Sequence, residues 1–142
     1  MEELKKFKHI TRIKIRFSDL DAMKHVNNAT YLTYLEEARI KYFNDLLKKN
    51  YGDIDYQAVV GRIEINYLHP IVLGDDVEIH TRIAKLGNKS LDVEHIVGIK
   101  RINEFIISAT SLTKLVYFDY KSQRTKPIPD EERKIITKFE GL

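Results

Sequence analysis

Cysteine and tryptophan are missing from the 142 residues, and proline occurs only 3 times. Without a thiol, disulfides, thiolate metal centres and a cysteine nucleophile are all excluded. Any chemistry must therefore use carboxylate, imidazole, hydroxyl or backbone groups. Long apolar runs are missing too: stretches such as Phe105-Ile106-Ile107 and Val116-Tyr117-Phe118 are far shorter than the roughly 20 residues of a bilayer-spanning helix. The first ten residues, MEELKKFKHI, hold mixed charge and no apolar block of the kind a secretory signal carries. The expectation is a soluble protein of the cytoplasm with no membrane insertion. Charge of one sign is also scarce, since 24 basic against 21 acidic residues leave a net +3. That is too mild and dispersed for a nucleic-acid footprint, so no nucleic-acid partner is expected, although a local phosphate contact stays open.

What is present fits one domain, residues 1–142, with no repeat, low-complexity tract or Gly/Ser-rich linker. Ile13, Ile15 and Phe17 alternate with Lys14 and Arg16, the period of a half-buried strand. After Asn28 the period changes. Tyr31, Leu35, Ala38, Tyr42 and Leu46 recur at helical spacing, predicting one long helix to about Lys49. Period two then returns over Arg62–Tyr67, Val77–Ile83, Leu91–Ile99 and Phe105–Phe118, giving the order β-α-β-β-β-β. A three-residue loop at Gly87-Asn88-Lys89 pairs Leu86 with Ser90, and so sets Ile83 opposite Val93, Ile79 opposite Val97 and Thr81 opposite His95. The last strand would reach about 45 Å if straight, so it must curl and is expected to carry a bulge. A short helix is predicted from Asp130, which follows Pro129 and is an N-cap type of residue. These elements define an α+β chain: a curled, antiparallel five-stranded sheet around one long central helix, the hotdog arrangement.

The segment FSDLDAMKHVNNATYLTYLEEAR, Phe17 to Arg39, concentrates polar groups just ahead of that helix. Asp21 and His25 are four residues apart, close to where the first amides are unpaired and the helix dipole is positive. A carbonyl oxygen could be polarised there by the Asn28 peptide N–H, while an aspartate attacks the carbonyl or deprotonates a water that does. Asp and Asn are equally the commonest turn and cap residues, so on residue type alone both a cap and an acyl-transfer site stand. Asp19, at the strand end, is assigned to turn structure. A metal held by Asp19, Asp21 and His25 has acceptable ligand chemistry but no second histidine nearby. No metal is expected.

The segment resembles the D-x-x-x-H-V-N-N-x-x-Y-x-x-Y-x-E-x-A-R signature of acyl-CoA thioesterases of the 4-hydroxybenzoyl-CoA thioesterase-like hotdog family, and it is similar to the acyl-ACP thioesterases. INYLHPIVLGDDVEI (65–79), GNKS (87–90) and PIP (127–129) fit the same family. Carried over, the resemblance implies catalytic Asp21, His25 as a positioning group and the Asn28 amide as oxyanion donor. Tyr31, Lys89 and Ser90 are the expected substrate-binding residues; as natural phosphate partners Lys100 and Arg101 could also meet CoA, but for any single one of these charges a solvated surface role is the leading reading. It implies hydrolysis of an acyl-CoA to free acid and CoA without a cofactor, in a homodimer joined edge to edge and often paired into a homotetramer. Two departures stand out: Lys24 replaces a glycine that many members carry before HVNN, and Met23 stands where the acyl-ACP enzymes have a catalytic asparagine. The second favours CoA. The role of Glu36 and Glu37, site or helix-surface pairing with Arg39 or Lys41, stays open. The rival readings are a hotdog enoyl-CoA hydratase or dehydratase and a non-catalytic acyl-CoA-binding hotdog domain. His95 is expected to be a hydrogen-bonded core residue, and His69 and His80 to lie in a loop or at the surface.

Overall fold

A computed structural model describes residues 2–49 and 58–142. Its elements are β1 (His9–Ile13), α1 (Thr30–Leu47), β2 (Ala58–Tyr67), β3 (Val77–Leu86), β4 (Ser90–Lys100), β5 (Phe105–Asp119), the two-residue β6 (Arg124–Thr125) and α2 (Asp130–Glu140), with short 3₁₀ turns at Glu3–Lys6 and Phe17–Asp19. The sheet is antiparallel in the order β1-β3-β4-β5-β2, with β6 appended to β5. It wraps α1, as the hotdog arrangement requires.

The first strand lies four residues earlier than its alternation suggests. Pairing with β3 ends at Ile13↔Val77, where β3 itself begins, so the chain beyond Ile13 has no strand to pair with among the described residues. Ile15 still points inward at 7% exposed, but the 3₁₀ turn then breaks the alternation and leaves Phe17 81% exposed.

The β3–β4 register is the expected one along most of its length, with Ile83↔Val93, Thr81↔His95 and Ile79↔Val97. Near the loop it slips. Leu86 faces Leu91 rather than Ser90, because a bulge between Ile83 and Lys85 absorbs one residue. On β5, Ser108 is the extra residue where Val97↔Ala109 steps to Gly98↔Ile107, which supplies the expected bulge.

α1 buries Tyr31, Tyr34, Leu35, Ala38, Tyr42 and Phe43. Its first half packs on Ile13, Val26, Ile79, Val97 and Ala109, and its second half on Ile83, Val93, Leu115 and Ile136. The helix ends at Lys48, which adopts the left-handed conformation. α2 docks through Ile136, and its Glu140 accepts from the Tyr42 hydroxyl and from the Ile83 N–H at 2.8 Å. Its N-cap is Pro129, with Asp130 the first helical residue.

His80 is not at the surface. It is 6% exposed, 3.1 Å from Glu78 Oε1, with the Phe105 ring edge-on at 5.3 Å. The alternation breaks down because Phe105 folds over the outer face of β4 and β3. Gly98 makes this possible, since a Cβ there would stand 1.9 Å from Phe105 Cζ.

Candidate active site

The loop between β1 and α1 is built from two turns. In the first, Asp19 accepts from the Arg16 N–H at 3.0 Å, the Arg16 guanidinium at 3.1 Å and the Tyr34 hydroxyl at 2.6 Å. Burial alone would raise its carboxyl pKa, but these donors outweigh burial and hold it below the ordinary carboxylate value. Asp19 thus ties the loop to the first turns of α1, and its acceptor capacity is spent there.

The second turn is pinched by a Leu20↔Val26 bridge and by the Asn27 N–H donating to the Asp19 carbonyl at 2.9 Å. Asp21 donates its N–H to the His25 carbonyl at 2.8 Å, and its Oδ1 accepts from the N–H groups of Met23 at 2.9 Å and His25 at 3.2 Å. One carboxylate oxygen therefore closes the turn. The other, Oδ2, meets no donor among the described residues, and the side chain is exposed in the single chain. Lys24, at the position where many relatives of the motif carry glycine, takes φ +64° to let the chain reverse. His25 supplies its backbone to this turn and leaves its ring half-buried.

The pinch delivers the chain directly to the head of α1. There the Asn27 carbonyl accepts from the Thr30 N–H at 2.9 Å, Asn27 Oδ1 accepts from the Ala29 N–H at 2.8 Å, and the Asn28 carbonyl accepts from the Tyr67 hydroxyl at 2.8 Å. The Asn28 N–H itself meets no acceptor among the described residues. No acidic side chain occupies the first turn of α1 to neutralise the positive end of the helix. A free amide and a half-free carboxylate thus flank one short loop. Such a pair can stabilise an oxyanion and supply a base or nucleophile.

Of the three expected substrate contacts, Tyr31 stays beside Asn28 on the first turn of α1 and the other two lie elsewhere. Tyr31 is 3% exposed and shares a 2.9 Å hydrogen bond with Ser108 Oγ, so in this chain it belongs to the core. Lys89 and Ser90 sit at the opposite end of β3 from Val77, about 30 Å away at the rise of a strand. Lys89 Nζ reaches Thr125 Oγ1 at 3.4 Å. Arg101 stands 3.9 Å from Glu104. Glu36 and Glu37 are exposed on α1, and Lys41 pairs with Asp45 at 3.0 Å. A largely apolar cavity of about 270 Å³ opens between α1 and β2, lined by Ile40, Phe43, Val59, Val60 and Leu115 with Glu36 and Arg39 at its polar side. It does not touch Asp21, His25 or Asn28.

Tyr67 is the site residue that periodicity concealed, because a tyrosine ending a strand looks like any other strand residue. His95 is buried as expected, 3.0 Å from Thr81 Oγ1, and burial, with the Arg39 charge second, pushes its pKa down to about 3. Among the described residues, no three His, Asp or Glu side chains gather as a metal site, and no helix is long and apolar enough to cross a membrane.

A curled antiparallel sheet around one long helix defines the hotdog class. The chain belongs to the Thioesterase-like superfamily, whose family model matches residues 15–136. Over 126 residues it is 32% identical to the long-chain acyl-CoA thioesterase FadM of Escherichia coli strain K12, spanning 87% of this chain and 92% of that protein. A thioesterase from Thermus thermophilus, solved with coenzyme A and Zn, is 38% identical with a TM-score of 0.81, covering 96% of this chain and 98% of the other. The 4-hydroxybenzoyl-CoA thioesterase solved with 4-hydroxybenzoyl-CoA shares the fold at a TM-score of 0.79 and 15% identity, over 90% and 97% of the two chains.

Proposed function

We propose that this single-domain chain is an acyl-CoA thioesterase that hydrolyses an acyl-CoA to the free acid and CoA. The observation that carries the reading is the unpaired Asn28 N–H at the head of α1, on the same loop as a carboxylate with one oxygen uncommitted. Asp21 Oδ2 either removes a proton from the attacking water or attacks the thioester carbonyl itself. In both routes the negative charge that develops on the carbonyl oxygen is received by the Asn28 amide. The C–S bond then breaks, the sulfur takes a proton and leaves as the CoA thiol, and the acid is released after water has added. His25 orients the Asp21 turn. The likeness to FadM and the apolar cavity beside α1 support a fatty acyl group as substrate.

The site is completed by a second copy. Among the described residues β2 ends the sheet with an unpaired edge, and Val60 and Tyr67 on it are 45% and 44% exposed. A two-fold axis through that edge pairs β2 antiparallel with itself, so the Ala58 end of one protomer meets the Tyr67 end of the other. The Gly87–Ser90 loop and the apolar cavity lie at the Ala58 end. Lys89, Ser90 and the cavity of one protomer thereby approach Asp21 and Asn28 of its partner, which accounts for their separation within one chain. Two such dimers form the tetramer. The lack of cysteine supports a cytoplasmic setting.

Thiol release measured across acyl-CoAs of graded length, with wild type and Asp21→Asn, tests the reading. Cleavage by wild type and its loss in the variant are expected. Hydration of crotonyl-CoA without thioester cleavage, or binding of acyl-CoA with no thiol released, would overturn it.

A further inference from the structure

We propose that Tyr67 is a positioning residue for catalysis, its hydroxyl holding the Asn28 amide aimed at the substrate oxygen. The inference rests on the thioesterase reading and concerns the peptides that flank the Cα of Asn28.

A peptide unit is planar, so its C=O and N–H point in opposite directions along one rigid body. The unit joining Asn28 to Ala29 is held at both ends, its carbonyl by the Tyr67 hydroxyl at 2.8 Å and its N–H by Asn27 Oδ1 at 2.8 Å. The preceding unit, joining Asn27 to Asn28, is held at its carbonyl by the Thr30 N–H at 2.9 Å, and its other end is the free Asn28 N–H. Fixing two successive planes fixes φ and ψ of the residue between them. The free N–H therefore cannot swing to seek another acceptor, and it is aimed before substrate arrives.

Only one of these contacts comes from outside the loop. Asn27, Ala29 and Thr30 are sequence neighbours, whereas Tyr67 reaches in from the end of β2, 39 residues away. Tyr67 is itself steadied by an edge-on contact with the Tyr31 ring at 5.0 Å and 88°. Tyr31 is anchored through Ser108 Oγ, which donates to the His69 carbonyl at 2.7 Å from the β5 bulge. The bulge, Ser108, Tyr31 and Tyr67 thus form one continuous support for the helix head. Losing an oxyanion donor costs about 10²–10³-fold in turnover, and loosening one that remains present costs less.

Tyr67→Phe removes the hydroxyl but keeps the ring contact with Tyr31. The expected result is a fall in kcat of roughly 10-fold with KM within about twofold, since the clamp acts on the transition state more than on ground-state binding. Infrared difference spectra of an acyl-CoA bound to Asp21→Asn and to the Asp21→Asn/Tyr67→Phe double variant read the clamp directly. The thioester carbonyl band should shift to lower frequency in the first and lose part of that shift in the second. Asn27→Ala frees the opposite end of the same peptide and provides an independent variant, expected to lower kcat with the combined loss smaller than the product. Wild-type kcat in Tyr67→Phe, or a carbonyl band in the Asp21→Asn/Tyr67→Phe variant unchanged from that in Asp21→Asn, would overturn the positioning role while leaving the thioesterase reading intact. Absence of thiol release from the wild-type protein would instead remove the reading on which that role rests.

Discussion

Asp21 and His25 hold each other by their backbones as well as through a side chain: the Asp21 N–H donates to the His25 carbonyl at 2.8 Å, and the His25 N–H returns to Asp21 Oδ1 at 3.2 Å. The same carboxylate thus closes the turn through one oxygen and leaves the other uncommitted among the described residues. The cap and catalytic readings of this segment are compatible.

That dual role separates two substitutions. Asp21→Asn keeps the acceptor for the Met23 and His25 amides, so its Tm should stay within a few degrees of wild type. Thiol release should fall by about 10²–10⁴-fold, the range a general base contributes. Asp21→Ala should lose activity equally and also lower Tm, by about 0.5–2 kcal/mol of stability as for other lost caps. In a single turnover in ¹⁸O-water, label entering Asp21 marks it as the nucleophile.

His95 gives the fold an acid-side slope. Its folded pKa of about 3 lies below the ordinary 6.5, so in the window between these values the unfolded chain takes up a proton that the native state refuses. Stability from this residue is therefore complete above pH 6.5 and falls as pH drops, by up to about 1.4 kcal/mol per pH unit. Chemical denaturation between pH 7 and 4 should show this slope, and His95→Asn should flatten it. Asp19, with its pKa lowered, adds a further loss only below its ordinary 3.8.

Lys24 stands in the left-handed region that glycine occupies without a Cβ penalty. Lys24→Gly relieves that strain while loosening the unfolded chain, for a net gain of up to about 1 kcal/mol. Calorimetry should show Tm unchanged or slightly raised, and the Asp21 turn should remain functional.

Gly98 should tolerate no side chain while Phe105 lies over it. Gly98→Ala is expected to cost about 1–3 kcal/mol by overpacking. The cost should shrink in the Gly98→Ala/Phe105→Ala background, a coupling that urea titration of the four proteins measures.

Much of this molecule follows from local pattern. Helical spacing from Tyr31 to Leu46 and two-residue alternation in four later segments located α1 and β2 through β5, because each of these elements buries one face against a common core. The Ile79↔Val97 register followed from keeping apolar residues opposite apolar ones. Asp21, His25 and Asn28 were legible as a group because a loop of a few residues keeps them together by covalent connection alone.

Other features depended on partners remote in the chain. β1 ends at Ile13 because β3 begins at Val77, and no alternation within 9–17 records where a neighbour begins. His80 is buried because Phe105, 25 positions later, folds over it, and the Asn28 peptide is clamped by a tyrosine 39 positions away. Sequence by itself determined α1, β2 through β5, their order and the grouping of polar residues ahead of α1, since these arise from periodicity and short-range bonding. Tertiary structure alone decided which strand ends where, which histidine is sealed from water and which hydroxyl reaches the Asn28 carbonyl, since each depends on long-range contacts that chain proximity does not encode.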